Sequence, residues 1–287
     1  MRTIFVSQED ANVVRVRTIV VDVGELDGEA IELDGVAAYH LVPRELDPAK
    51  EGLVYLNIHG GAYVLYAGLS GLVGAVPVAV HLQMEVISID YRMPPDHPFP
   101  AALDDVVRAY RHLLDDGYFP EQIIVSGTSA GGGLSMAALQ AIRDKGLRLP
   151  AALILGTPWA DLSKTSDTLF TNEGIDRVLV TYEGFLKGAA HLYADGRDLK
   201  HPQLSPIYGT FDDFPPTLLL SGTRDLFLSD TVRTHRALRD ADVSADMMIY
   251  EGVSHAEYAM YEGSDEARNV VHHVNKFISR HAGETRP

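Results

Sequence analysis

The chain has 287 residues, 46% of them hydrophobic, enough to bury one large core. Its 40 acidic and 24 basic residues give a formal net charge of −16, which repels phosphates, so no nucleic-acid partner is expected. The absence of cysteine excludes disulfides, thiolate metal sites and cysteine nucleophiles.

In chain order, the opening stretch MRTIFVSQEDANVVRVR is interrupted by charges and does not read as a secretory signal. No run of 18 apolar residues occurs, so membrane insertion is not expected and a cytoplasmic location is the default reading. The first 45 residues read as β-rich, with β-branched stretches at 13–21 and 31–42 and turn signals at Gly24, Gly28 and Gly35. Short apolar runs then recur at 53–58, 86–89, 123–125, 151–155, 217–220 and 247–250, as strands buried on both faces would. Leu103, Val106, Val107, Tyr110, Leu113 and Leu114 make an apolar stripe at helical spacing, closed by Gly117; Val270, Val271, Val274, Phe277 and Ile278 repeat it. Strands alternating with helices predict an α/β fold, a mostly parallel central sheet flanked by helices with antiparallel strands at one edge. Residues 1–287 read as a single domain. Residues 161–214 break the rhythm. They carry a helical pattern around 182–193 and a loop rich in His, Pro and Asp, and a structureless loop that long does not suit a compact domain. The segment reads as an insertion partly covering the active site, so cap elements are assigned to 1–45 and 161–214.

Four motifs carry chemistry. Gly127-Thr128-Ser129-Ala130-Gly131 follows the run 123–125 and precedes a helical stretch at 134–139. Strand, sharp turn and helix form the context of a nucleophile elbow. The tight turn needs small neighbours, and the helix N-terminus puts positive partial charge where an oxyanion would develop. The plainer reading is a Gly-rich turn holding a solvated serine. His59-Gly60-Gly61-Ala62-Tyr63 follows the run 53–58. Its glycines let backbone N–H groups face a substrate oxygen, Ala62 keeps its N–H, and His59 reads as structural; the plain alternative is an ordinary βα turn. Asp225 closes Ser221-Gly222-Thr223-Arg224-Asp225 after the run 217–220, at a strand's carboxyl end where ligands bind in open α/β sheets. It could equally be a turn or capping aspartate, with Asp230, expected inside the next helix, as the fallback acid. His255 ends Gly252-Val253-Ser254-His255 after the run 247–250, in a loop from which it can reach a nucleophile and exchange a proton. The chain has 12 histidines; His97 and His201 lie in Pro-bounded loops and read as structural or substrate-lining. Oxyanion loop, Ser, Asp, His, each at a strand end, is the α/β-hydrolase order.

These residues resemble the bacterial members of the hormone-sensitive lipase group of esterases. The matching stretches are HGGAY at 59–63, DYRMPPDHPFPAALDDV at 90–106, GTSAGGGL at 127–134, HPQLSP at 201–206, GTRD at 222–225 and SHAEY at 254–258. The resemblance covers roughly residues 50 to 280, and the DYR…PFPAALDD stretch is specific to this group. It implies Ser129, Asp225 and His255 as a catalytic triad, with an oxyanion hole from the N–H groups of Gly60, Gly61 or Ala62, and of Ala130. It implies short-chain acyl esters as substrates and no cofactor. Thr128, where many members have Asp, places the chain in the branch with GTSAGG; Ala62 and Ala256 stand where many have Gly. Only 58 residues precede His59, fewer than a full helical N-terminal cap takes, so a more open pocket is expected. Tyr63 and Tyr66 are expected to narrow its mouth, and Tyr63 and Thr128 to line the substrate.

The expected partner is thus a small-molecule ester, and a homodimer is compatible with the reading. A lactonase or deacetylase would use the same machinery. A non-catalytic receptor on this fold is the remote alternative, and resembling receptors lack the histidine that stands here at 255. No H-x-x-x-H pattern occurs, so no metal is expected.

Overall fold

The computed structural model of the chain describes residues 26–261 and 263–282. The β-rich stretch expected at 13–21 and the turn at Gly24 lie outside the described residues. Two strands, β1 (Leu26–Leu33) and β2 (Val36–Pro43), form an antiparallel hairpin. Asp34 and Gly35 connect them with φ of 50° and 78°, the two positive angles that a type I′ turn requires. Gly28 is not a turn: it pairs with Leu41 inside the ladder.

The α/β rhythm follows, with β3 (Val54–Ile58), α1 (Leu72–Leu82), β4 (Glu85–Ile89), α2 (Ala101–Asp115), β5 (Ile123–Thr128), α3 (Ala130–Asp144) and β6 (Ala152–Gly156). After a long excursion come β7 (Thr217–Gly222), α6 (Leu228–Asp240), β8 (Ala245–Tyr250), the single turn α7 (Glu257–Met260) and α8 (Asp265–His281); the excursion itself holds α4 (Thr168–Thr171) and α5 (Phe185–Ala194). The eight strands lie in the order β1-β2-β4-β3-β5-β6-β7-β8. The hairpin joins the edge antiparallel through β2 and β4, and every other pairing is parallel. Each apolar run expected to be a strand is one, and the edge placement of the antiparallel pair follows the expectation.

Successive side chains of the central strands enter opposite cores, which is why these strands read as unbroken apolar runs. Leu56, Val125, Leu155 and Leu219 pack with α2 and α3 on one face. Tyr55, Ile124, Ile154 and Leu220 pack with α1 and α8 on the other. Helix α1 was not legible in the sequence: LVGAVPVAVHL is apolar nearly all round and carries Pro77 inside it, so no polar face marks the helical period.

The insertion contains a helix where the pattern at 182–193 predicts one, shifted to Phe185–Ala194. Leu186 and Tyr193 are buried in the main core, while Val180 and Phe185 are exposed. Among the described residues, no helix is long and apolar enough to cross a membrane.

Candidate active site

Ser129 sits on the turn between β5 and α3 with φ 60° and ψ −123°, a backbone state that costs energy in a residue with a Cβ. The surroundings hold it there. Its N–H donates to Gly156 O at 2.8 Å, and its carbonyl accepts from Gly132, Gly133 and Trp159 N–H groups. Close approach explains the glycines. A Cβ on Gly131 would lie 2.0 Å from Ile58 O, so only glycine lets the start of α3 pass beneath the end of β3.

The loop after β3 is pressed against this turn. A Cβ on Gly60 would lie 2.8 Å from Thr128 O and 3.2 Å from Ser129 Cβ. Gly61, Ala62 and Tyr63 all have positive φ, at 101°, 54° and 65°. The resulting turn is closed by Val64 and Leu65 N–H groups donating to Gly61 O. No acceptor among the described residues takes the N–H of Gly60, Gly61, Ala62 or Ala130, an unusual concentration of unpaired backbone donors. His59 anchors the loop as expected. Its Nδ1 donates to Gly60 O at 2.8 Å, its ring stacks on Tyr91 at 4.2 Å, and the Tyr91 hydroxyl donates to His59 O. Burial pulls the His59 pKa below the usual imidazole range.

Asp225 and His255 come together from the loops after β7 and β8. His255 Nδ1 donates to Asp225 Oδ1 at 3.0 Å; the carboxylate only accepts, so this nitrogen carries the proton. The same oxygen accepts from Phe227 N–H at 2.8 Å, and Oδ2 accepts from the hydroxyls of Ser221 and Thr157. Asp225 is fully buried, and four donors compensate the desolvation of its charge. The Phe227 ring meets His255 edge-on at 5.0 Å and stacks on Trp159, whose backbone N–H donates to Ser129 O. The nucleophile turn and the acid–base pair thus share one aromatic wall.

The alpha/beta hydrolase fold family matches residues 55–259. An acetyl-hydrolase of Streptomyces hygroscopicus is 33% identical over 257 residues, covering 88% of this chain and 84% of that protein. An esterase of Acinetobacter venetianus is 34% identical over 223 residues, covering 78% and 73%. The crystal structure of an esterase superposes with a TM-score of 0.88 at 46% identity, covering 90% of this chain and 79% of that one. That of an esterase from the bacterial hormone-sensitive lipase family gives 0.83 at 30% identity, covering 90% and 86%. The chain belongs to the bacterial hormone-sensitive-lipase-like esterases, a group of serine carboxyl-ester hydrolases.

In this esterase one expected substrate-lining residue lies elsewhere. Tyr63 is 1% exposed, its ring stacked on Tyr193 at 3.9 Å. The positive-φ turn swings its side chain into the core behind the loop. Tyr66 and Thr128 are exposed. His201 lies against Phe99 and accepts from Gln203 N–H, a structural role. The fallback acid Asp230 is within α6, where its buried carboxylate accepts from Ala160 N–H, Asp161 N–H and the Ser166 hydroxyl. Burial, with the charge of Asp161 nearby, pushes its pKa up to about 7. Against the burial that would raise it, hydrogen bonds from Ser163, Thr165, Arg233 and Tyr208 hold Asp161 below the usual carboxylate range.

The residue that sequence reasoning missed is Thr157. It is fully buried and, although β-branched, has φ 44°, a strained state for such a side chain. Its hydroxyl faces both Asp225 and His255 Nδ1. The available signal was its place at the carboxyl end of the run 151–155, beside the serine strand.

Among the described residues, no group of three or more His, Cys, Asp or Glu side chains is placed to hold a metal ion.

Proposed function

We propose that the protein hydrolyses short-chain carboxylic esters through an acyl-enzyme on Ser129, with His255 as base and Asp225 as its orienting acid. The observation that carries this reading is the buried Asp225–His255 hydrogen bond at the carboxyl end of the sheet that also ends in the Ser129 turn. Asp225 fixes the tautomer in which Nδ1 keeps its proton, leaving Nε2 to take the one from Ser129 Oγ as that oxygen attacks the ester carbonyl. The unpaired N–H groups of Gly60, Gly61 or Ala62, and of Ala130, receive the tetrahedral oxyanion, with the N-terminus of α3 adding its dipole. The imidazolium then protonates the departing alkoxide, and a water, deprotonated by the same nitrogen, releases the acid.

Acetyl esters fall within this class, and an acetyl-hydrolase is among the similar proteins. A panel of p-nitrophenyl esters, lactones and acetylated sugars tests the reading against wild type and Ser129→Ala. Hydrolysis of the nitrophenyl esters by wild type and its loss by roughly 10⁶ in the variant are expected. A fully active Ser129→Ala would overturn the assignment, and a preference for lactones would replace the substrate class.

A further inference from the structure

The loops bearing Asp225 and His255 do not stand alone. Residues 172–177 of the insertion, far from the reacting groups in sequence, hold the backbone of both. Asn172 Nδ2 donates to Asp225 O at 2.9 Å and Thr223 O at 3.2 Å. Asp176, buried, accepts the Leu226 N–H through Oδ2 at 2.9 Å, while its Oδ1 takes the N–H groups of Val178 and Leu179 and so ties the carboxylate to its own loop. On the other side, Arg177 N–H donates to Ser254 Oγ at 3.1 Å. The Arg177 guanidinium meets Glu257 Oε1 at 2.6 Å, and Glu257 Oε2 accepts the Ser254 N–H at 2.9 Å. His255 lies between these two bound residues.

We propose that Asn172, Asp176 and Arg177 are positioning residues for the catalytic pair, a clamp by which the insertion sets the separation of Asp225 and His255. The inference rests on the Ser129–His255–Asp225 reading. The two loops are joined to each other by Arg224 N–H donating to Val253 O and Gly252 N–H donating to Thr223 Oγ1. The shared bonds to one short segment add a second tie on and beside Asp225 and His255, and hydrogen-bond geometry between acid and base is what preorganisation requires. The seating of the insertion on the sheet and the alignment of the base are then one structural event.

The test uses the full chain with p-nitrophenyl butyrate, measuring kcat and KM separately and following thermal unfolding. Arg177 is 62% exposed in its side chain, so Arg177→Ala is expected to fold. Its kcat should fall about tenfold or more with KM unchanged, and Arg177→Lys, which still reaches Glu257, should restore most of it. Asp176→Asn, which cannot accept at both oxygens, should show the same split. Arg177→Ala combined with Glu257→Ala should lose less than the product of the single losses, since both break one bond. Wild-type kcat in Arg177→Ala and Asp176→Asn, with only the unfolding temperature lowered, would reduce the clamp to a structural staple and overturn the proposal. Ser129→Ala and His255→Ala run alongside. If either keeps wild-type turnover, the triad reading fails and the clamp with it; if both are inert while the clamp variants are unimpaired, the clamp alone fails.

Discussion

Thr157 Oγ1 lies 3.0 Å from His255 Nδ1, the same separation that links this nitrogen to Asp225 Oδ1. The carboxylate can only accept, so the Thr157 hydrogen goes to Asp225 Oδ2 and a lone pair of the hydroxyl is left facing the imidazole N–H. One side chain thereby satisfies the acid and the base together. Its strained backbone is held by Thr157 N–H donating to Leu220 O and, one residue earlier, Gly156 O accepting from Ser129 N–H.

Thr157→Val keeps the branched shape and removes the hydroxyl. A hydrogen bond to a charged group is worth roughly 1.5–3 kcal/mol, so kcat should fall about 10- to 100-fold. Thr157→Ser should stay close to wild type. Steady-state kinetics on a nitrophenyl ester decide it, and a valine variant with normal kcat would show the hydroxyl to be idle.

Gly60→Ala forces a methyl group to within 2.8 Å of Thr128 O and against Ser129 Cβ. Backbone must shift, and with it the N–H groups offered to the oxyanion. We expect kcat/KM to drop by about 10²–10³, the usual effect of losing one such donor, with cooperative unfolding retained. Unchanged kcat/KM would remove this loop from the chemistry.

Asp230 makes stability depend on pH in a predictable direction. Its folded pKa of about 7 lies above the value of about 3.9 typical of an unfolded chain. Between these values the folded state binds more protons than the unfolded state, so this residue's contribution to stability declines as pH rises from about 4 to about 7. Urea unfolding of wild type and Asp230→Asn at pH 5 and pH 7.5 measures it. The asparagine variant should lose less stability across that interval, and equal losses would mean that Asp230 titrates like an exposed carboxylate.

Acyl length should matter only up to a point. Leu186 of the insertion and Tyr63 of the loop after β3 are packed into the core and are not left to sheathe a long chain. Each buried methylene is worth about 0.8 kcal/mol, and methylenes left in water add nothing. The value of kcat/KM across esters from acetate to palmitate should stop rising at roughly four to eight carbons. A maximum at long chains would require a deep tunnel and reject this reading.

The central strands, the elbow and the order of the catalytic candidates can be read from the chain alone, because each is a local signal. A central parallel strand must be apolar on both faces, so runs such as 123–125 and 217–220 stand out without any knowledge of partners. The glycines around Ser129 and after His59 mark places where backbones touch. Contacts between distant segments were decided only by the tertiary structure. Thr157 meets His255 across 98 residues and Arg177 meets Glu257 across 80; neither residue carries a motif of its own. Tyr63 followed the opposite course. Its place after the loop pointed to the pocket, but the positive φ of the turn and the flat face of Tyr193 sent its ring into the core. Which way a side chain faces off an irregular turn depends on what is packed there, and that is set by segments the turn meets only after folding.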